Sequence, residues 1–423
     1  MKVLIQQARI ISPESSLHDT ITDLLIEDGK IIETGQIKSK ADKVISGDNL
    51  HVSAGWLDMR VHLKDPGHEL MENLESMSQA AMKGGFTEIV GLPNTHPTVQ
   101  TKESLSYFRN FSQSGLVRIY NIAAVTKNCE GKDFTEMIDL FHSGAAAFSD
   151  GVKPIWNADI LLKSLQYLYP LGALLINKPE EPTLSIFGQM HEGLASTLMG
   201  TKGIPSAAEE IMIMRDLKLL EYSGIQSDKP VLHFATISTA QSVRLIREAK
   251  KKGLPVSCDI AAHQLAFIDD DLKNFDTHLK VNPPFRSKED IAALKKGLAD
   301  GTIDAVVSDH NPLDEEVKNL EFDLAEFGIT GLQTAFATLN TYGGQDITAT
   351  IGKITAQPRK LLRLSNPVIE KGSVANLTVF DPAAEFVLTA ENIVSLSKNS
   401  PFIDKPLKGK VLAVYNQGRL SES

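Results

Sequence analysis

The segment Leu57–Gly67, LDMRVHLKDPG, ends a short apolar alternation in His62, and a histidine leaving a strand end can give a lone pair to a divalent cation. Two residues upstream stands Arg60, which has no lone pair to give and stays protonated at any physiological pH. Further along, Asn94, Asp150, Lys178, His233, His263 and Asp309 each close a short apolar run. Carboxylates and imidazoles at equivalent strand ends suit hydrolysis by a metal-activated water. With Arg60 and Lys178 among them, they suit an ion-paired pocket without a metal equally well. Singly, each reads as a core or loop residue; seven at equivalent strand ends read as the lining of one pocket.

The elements that must position them are eight apolar runs: GWLDMRVHL, FTEIVGLPN, VRIYNIAAV, GAAAFSD, GALLIN, PVLHFAT, PVSCDIAA and IDAVVSDH. Each is followed by a helical pattern. STAQSVRLIREAKKKG and SKEDIAALKKGLADG show Ser caps, apolar positions at 3.6-residue spacing and a closing Gly. Eight strand–helix alternations predict a (β/α)8 TIM barrel over residues 54–361, whose chemistry sits at the C-terminal strand ends. The first fifty residues instead alternate as strands, with Asp28–Gly29 as a type I′ hairpin signal. ANLTVFDP and KGKVLAVYNQGRL near the other end read the same way. Residues 1–53 and 362–423 are therefore expected to combine into one small discontinuous β-sandwich domain, since neither piece folds alone.

Net charge is −10 and no block of Lys or Arg occurs, which argues against nucleic acid as a partner. Only Cys129 and Cys258 are present, without CxxC spacing, so a disulfide framework or thiolate zinc site is not expected. No run approaches the eighteen apolar residues of a membrane span, and the first residues lack the apolar stretch of a secretion signal. A cytoplasmic, soluble chain with no membrane partner is the expectation.

In order and spacing, DMRVHLKDPG, GLPNTHPT, AFSDG, MHEG, HFATISTAQSV, CDIAAHQLAF, KVNPPFRSKED, SDHNP and FGITGLQTA resemble class I dihydroorotases, a branch of the amidohydrolase superfamily, along nearly the whole chain. The resemblance implies opening or closing of the dihydroorotate ring on a zinc centre in pyrimidine biosynthesis, and assembly into homo-oligomers. It also implies that His62, His233 and Asp309 retain metal-ligand positions, Asp309 doubling as the catalytic acid/base. Three further ligand positions hold Arg60, Gly151 and Lys178, Gly151 standing where the metal-bridging Asp would be. On the substrate side the family's carboxylate-gripping Arg is Lys64, Asn94 and Asn282 are kept, and Leu313 replaces a substrate-binding His.

Arginine cannot ligate, lysine ligates only when deprotonated, and glycine offers no side chain, so zinc is expected to be absent or at most a single ion. The chain thus resembles the catalytically impaired dihydroorotase-like members, some of which scaffold aspartate transcarbamoylase. Arg60 and Lys178 are expected to pair with Asp150 and Asp309. The alternatives are an active cyclic amidohydrolase with a rearranged zinc site and a non-catalytic protein that holds a small acid through Lys64 and Asn94.

Overall fold

The computed structural model describes residues 1–423. The N-terminal strands are β1 (Lys2–Ile11), β2 (Ile21–Glu27), β3 (Lys30–Gly35), β4 (Lys43–Ile45) and β5 (His51–Ala54). Asp28 and Gly29 take φ of 50° and 78°, the paired positive values a type I′ turn requires, and so join β2 to β3. Seven of the eight strands in this sheet are ordered β18-β17-β16-β5-β1-β2-β3, with β4 against β1, where β16 is Leu377–Val387, β17 Pro406–Asn416 and β18 Arg419–Glu422. The two chain ends therefore share one hydrogen-bonded sheet. It curls so that its far edge meets the run-in to β16: Ile31 N–H donates to Ser373 O at 2.9 Å and Ala375 N–H to Gly29 O at 2.8 Å. Val3, Ile5, Leu24, Ile26, Val52, Leu377 and Tyr415 are buried together inside the curl.

One residue after β5 the chain enters β6 (Trp56–Val61), the first strand of a second, parallel sheet. It continues through β7 (Phe86–Gly91), β8 (Arg118–Ala123), β9 (Ala147–Phe148) and β10 (Leu175–Asn177). After an excursion carrying the two-stranded β11 (Met190–His191) and β12 (Gly203–Ile204), it resumes with β13 (Leu232–Phe234), β14 (Val256–Ala261) and β15 (Ala305–Val307). All eight runs read from the sequence are these barrel strands. The seam closes where His62 N–H donates to His310 O at 2.9 Å. Leu57, Met59, Val90, Leu92, Ile122, Ile176 and Val307 fill the interior, while a larger apolar shell lies between strands and helices.

The helices follow their caps. Ser287 caps Lys288–Ala299 by accepting from Asp290 N–H, as its sequence suggests. The cap of Ala240–Lys251 is Thr239 rather than Ser238, because the Ser238 hydroxyl is engaged by Glu209. Two buried contacts fasten the barrel to the curled sheet. Trp56 stacks edge-on against Phe380 at 5.4 Å, and Arg359 reaches Gly55 O at 2.6 Å while pairing with Glu88.

Candidate active site

The strand ends surround a cavity of about 340 Å³ lined by Arg60, His62, Lys64, Asn94, Lys178, His263, Asn282 and Asp309, among others. Five of the seven strand-end residues thus meet in one place, and Asp150 and His233 are not on its wall.

Arg60 enters the cavity because β6 is irregular: its pairing with β7 shifts register between Asp58 and Val61. Such an irregularity re-aims a side chain that strict alternation would send to the other face. Asp58 holds it, one carboxylate oxygen accepting Arg60 N–H at 3.1 Å and the other Ser308 N–H at 3.1 Å, so the same residue ties the first strand to the last. Burial pushes the Asp58 carboxyl up to about 7.

The Arg60 guanidinium donates through Nε to Asp309 Oδ1 at 2.8 Å, with the two residues 3% and 8% exposed. His62 Nε2 lies 3.3 Å from the same oxygen. Burial would raise the Asp309 carboxyl, but the Arg60 charge and the His62 contact hold it well below the usual carboxylate range. Burial lowers His62 to about 4 against the pull of Asp309, so its imidazole is neutral near pH 7. Asp309 itself sits at φ 47°, a left-handed conformation that Asp tolerates better than most residues.

The expected pairing of Lys178 with Asp150 is not what forms. Lys178 Nζ donates to Glu180 Oε2 at 2.7 Å, and Asn282 Nδ2 shares that oxygen at 3.1 Å. Burial would raise Glu180, yet the Lys178 ammonium pulls it down to about 2. Asp150 is instead held by the segment just after the neighbouring strand β8. Oδ1 accepts Val125 N–H at 3.1 Å and Thr126 N–H at 2.9 Å, and Oδ2 accepts the Thr126 hydroxyl at 2.6 Å.

His233 is also placed differently from the expected mouth ligand. It is sealed in the wall, Nδ1 2.8 Å from Ser257 Oγ and Nε2 2.8 Å from Asp259 Oδ2, and all three residues are buried. Ser, His and Asp in that order invite a nucleophilic triad, but Ser257 is wholly buried and is not on the wall of the mouth cavity. The cause is register: His233 on β13 lies directly beside Ser257 on β14.

Gly151 takes φ 70°, and a Cβ built there would lie 1.8 Å from Asn94 Oδ1. Asn94 holds the turn from the other side, donating from Nδ2 to Asp150 O at 3.0 Å and accepting Val152 N–H at 2.9 Å. The space a side chain at position 151 would need is therefore filled by Asn94, whose amide is largely spent on backbone.

Three polar groups on the cavity wall are left without partners. Lys64 makes no hydrogen bond or ion pair; burial lowers its ammonium to about 8, and Glu326 and Asp314 pull the other way. Asn311 Oδ1 is buried unpaired, its amide nitrogen going to Phe327 O at 2.9 Å. Neither ring nitrogen of His263, 2% exposed, has a partner within hydrogen-bond geometry. Leu313 lines the same wall. Sequence reasoning missed Asp58, Glu180, Asp259 and Asn311; Asp58, Glu180 and Asn311 each stand two residues from a singled-out position, and Asp259 does not.

No group of three or more His, Cys, Asp or Glu side chains comes together as a metal donor set, and no helix is long and apolar enough to cross a membrane. Residues 51–240 match the dihydro-orotase-like family profile, and residues 190–420 match the amidohydrolase family. The dihydroorotase of Pelotomaculum thermopropionicum is 38% identical over 99% of this chain and 98% of its own. That of Acetivibrio thermocellus is 39% identical over 99% and 98%. Among solved structures, the L-hydantoinase (dihydropyrimidinase) of Arthrobacter aurescens superposes with a TM-score of 0.85 over 100% of this chain and 96% of its own, at 23% identity, a likeness of fold. Full-length identity at this level to several dihydroorotases, on an amidohydrolase barrel, establishes that the chain belongs to the dihydroorotase family of amidohydrolases.

Proposed function

We propose that this chain is a dihydroorotase homologue without hydrolase activity, whose barrel serves as a scaffold or regulatory partner. The observation that carries this reading is the Arg60–Asp309 pair at 2.8 Å. A guanidinium stands where a zinc ligand would, and its positive charge answers the carboxylate that a metal would otherwise neutralise. Of the remaining donors only His263 is uncommitted, and no three donors come together to hold a zinc ion. His62 leans on the same Asp309 oxygen, both His233 nitrogens are committed to Ser257 and Asp259, and the bridging position has no room for a carboxylate. A catalytic zinc needs about three protein ligands and an open position, and these side chains cannot supply that set without repacking.

The resemblance to scaffolding relatives makes aspartate transcarbamoylase the partner to test first, in a homo-oligomeric assembly within pyrimidine synthesis. Elemental mass spectrometry on chain purified with zinc present, with a dihydroorotate hydrolysis assay on the same sample, decides the activity. Zinc below about a tenth of an equivalent, with no turnover, is the expected result. Stoichiometric zinc with turnover would overturn the reading and return the alternative, a hydrolase with a rearranged centre.

A second reading is favoured by Lys64: an unpaired cation lines a cavity large enough for a small acid. There the chain would hold dihydroorotate or carbamoyl aspartate without converting it. Ligand-dependent thermal stabilisation that disappears in Lys64→Gln supports retention of a ligand, and its absence leaves the scaffold role alone.

A further inference from the structure

A second cavity, of about 330 Å³, lies at the other end of the barrel, where β8 begins. Its wall joins Arg109 and Gln113 of the helix Lys102–Ser114, Arg118, Tyr120 and Asn121 of β8, and Gln417 of the β17–β18 turn. On a chain of net charge −10, two arginines here lack a carboxylate partner. Arg109 is spread across the rim, donating to Ser106 Oγ at 2.9 Å and more loosely to Ser143 O at 3.4 Å. Arg118 lies beside Glu88 in the β7–β8 register and leans on the Tyr120 hydroxyl, while one Glu88 oxygen is held by Arg359 at 2.6 Å and no carboxylate comes within ion-pair distance of Arg118. No Asp or Glu lines the cavity.

We propose that this cavity binds a small phosphorylated metabolite. Planar guanidinium forks match phosphate oxygens and bind them in charge-assisted pairs. Leu105, Ile119 and the Tyr120 ring offer apolar contact to the organic part of such a ligand, and the volume is that of a small-molecule site. Its place is the barrel face opposite the catalytic end, at the junction with the curled sheet, so the ligand would be an effector rather than a substrate. The site stands independently of whether the mouth holds zinc.

Isothermal titration of the full-length chain with ribose 5-phosphate, inorganic phosphate and malonate tests it. Saturable binding of ribose 5-phosphate, weaker binding of phosphate and none of malonate is expected. Arg109→Gln and Arg118→Gln, both at exposed side chains and so compatible with folding, should each weaken binding about tenfold. Lys64→Gln at the mouth should leave it unchanged. The proposal is overturned if no probe saturates, if malonate binds as well as the phosphates, if the arginine variants bind normally, or if Lys64→Gln abolishes binding.

Discussion

Replacing Arg60 by Met keeps most of the stem's packing but leaves Asp309 a buried charge without its cation. The two groups are 2.8 Å apart and nearly inaccessible to water, so solvent can do little to screen or replace the contact. Removing one partner of such a pair costs about 3–5 kcal/mol. His62 remains 3.3 Å from the carboxylate as a neutral donor and recovers part of this, which places Arg60→Met near 3 kcal/mol, the lower end of that range. Asp309→Asn alone strands the guanidinium and should cost a similar amount. The double variant strands neither charge, so it should be more stable than the sum of the single losses by about 2 kcal/mol. Guanidinium unfolding followed by circular dichroism at pH 7 measures all four proteins. A loss below about 0.5 kcal/mol for Arg60→Met, or strict additivity in the cycle, would refute the reasoning. The pair would then be no stronger than a surface ion pair, and the claim that a guanidinium replaces the metal's charge would lose its support.

Restoring the family's bridging acid by Gly151→Asp should not restore a metal centre. The new Cβ meets Asn94 Oδ1 at 1.8 Å on a left-handed backbone, so the expected outcome is a loss of more than about 2 kcal/mol and unchanged zinc content. A stable variant that takes up zinc would show that Asn94 yields easily. Lys318 supplies a pH dependence: burial, then the neighbouring Lys280 charge, lowers its ammonium to about 7. The unfolded chain therefore binds more protons between about pH 7 and 10, and this residue's contribution to stability rises with pH across that window. Lys318→Met should lose that rise, together with the bonds to Thr277 O and Glu326 O at 2.7 and 2.8 Å, and a stability difference from wild type that stays flat with pH would contradict it.

The barrel was legible in the sequence because periodicity is a local property. Each run such as FTEIVGLPN is buried on both faces and bounded by turn residues, so eight strands could be counted without knowing where any of them lies. The Asp28–Gly29 turn was legible for the same reason, since the backbone angles that a hairpin demands are ones few residue pairs accept. That Arg60 and Gly151 offer no atom able to bind a metal could also be read from residue type alone.

Which groups answer one another was decided only in three dimensions. Lys178 had two candidate anions far away in sequence and chose Glu180, because Asp150 is held by Val125 and Thr126 just past the neighbouring strand. His233 looked like a mouth ligand until the register of β13 on β14 set it against Ser257 and Asp259. Arg60 reaches Asp309 because the irregular pairing of β6, held by Asp58, turns its side chain into the cavity. Strand register, bulges and the competition of backbone N–H groups for carboxylates are long-range outcomes, and no window of sequence contains them.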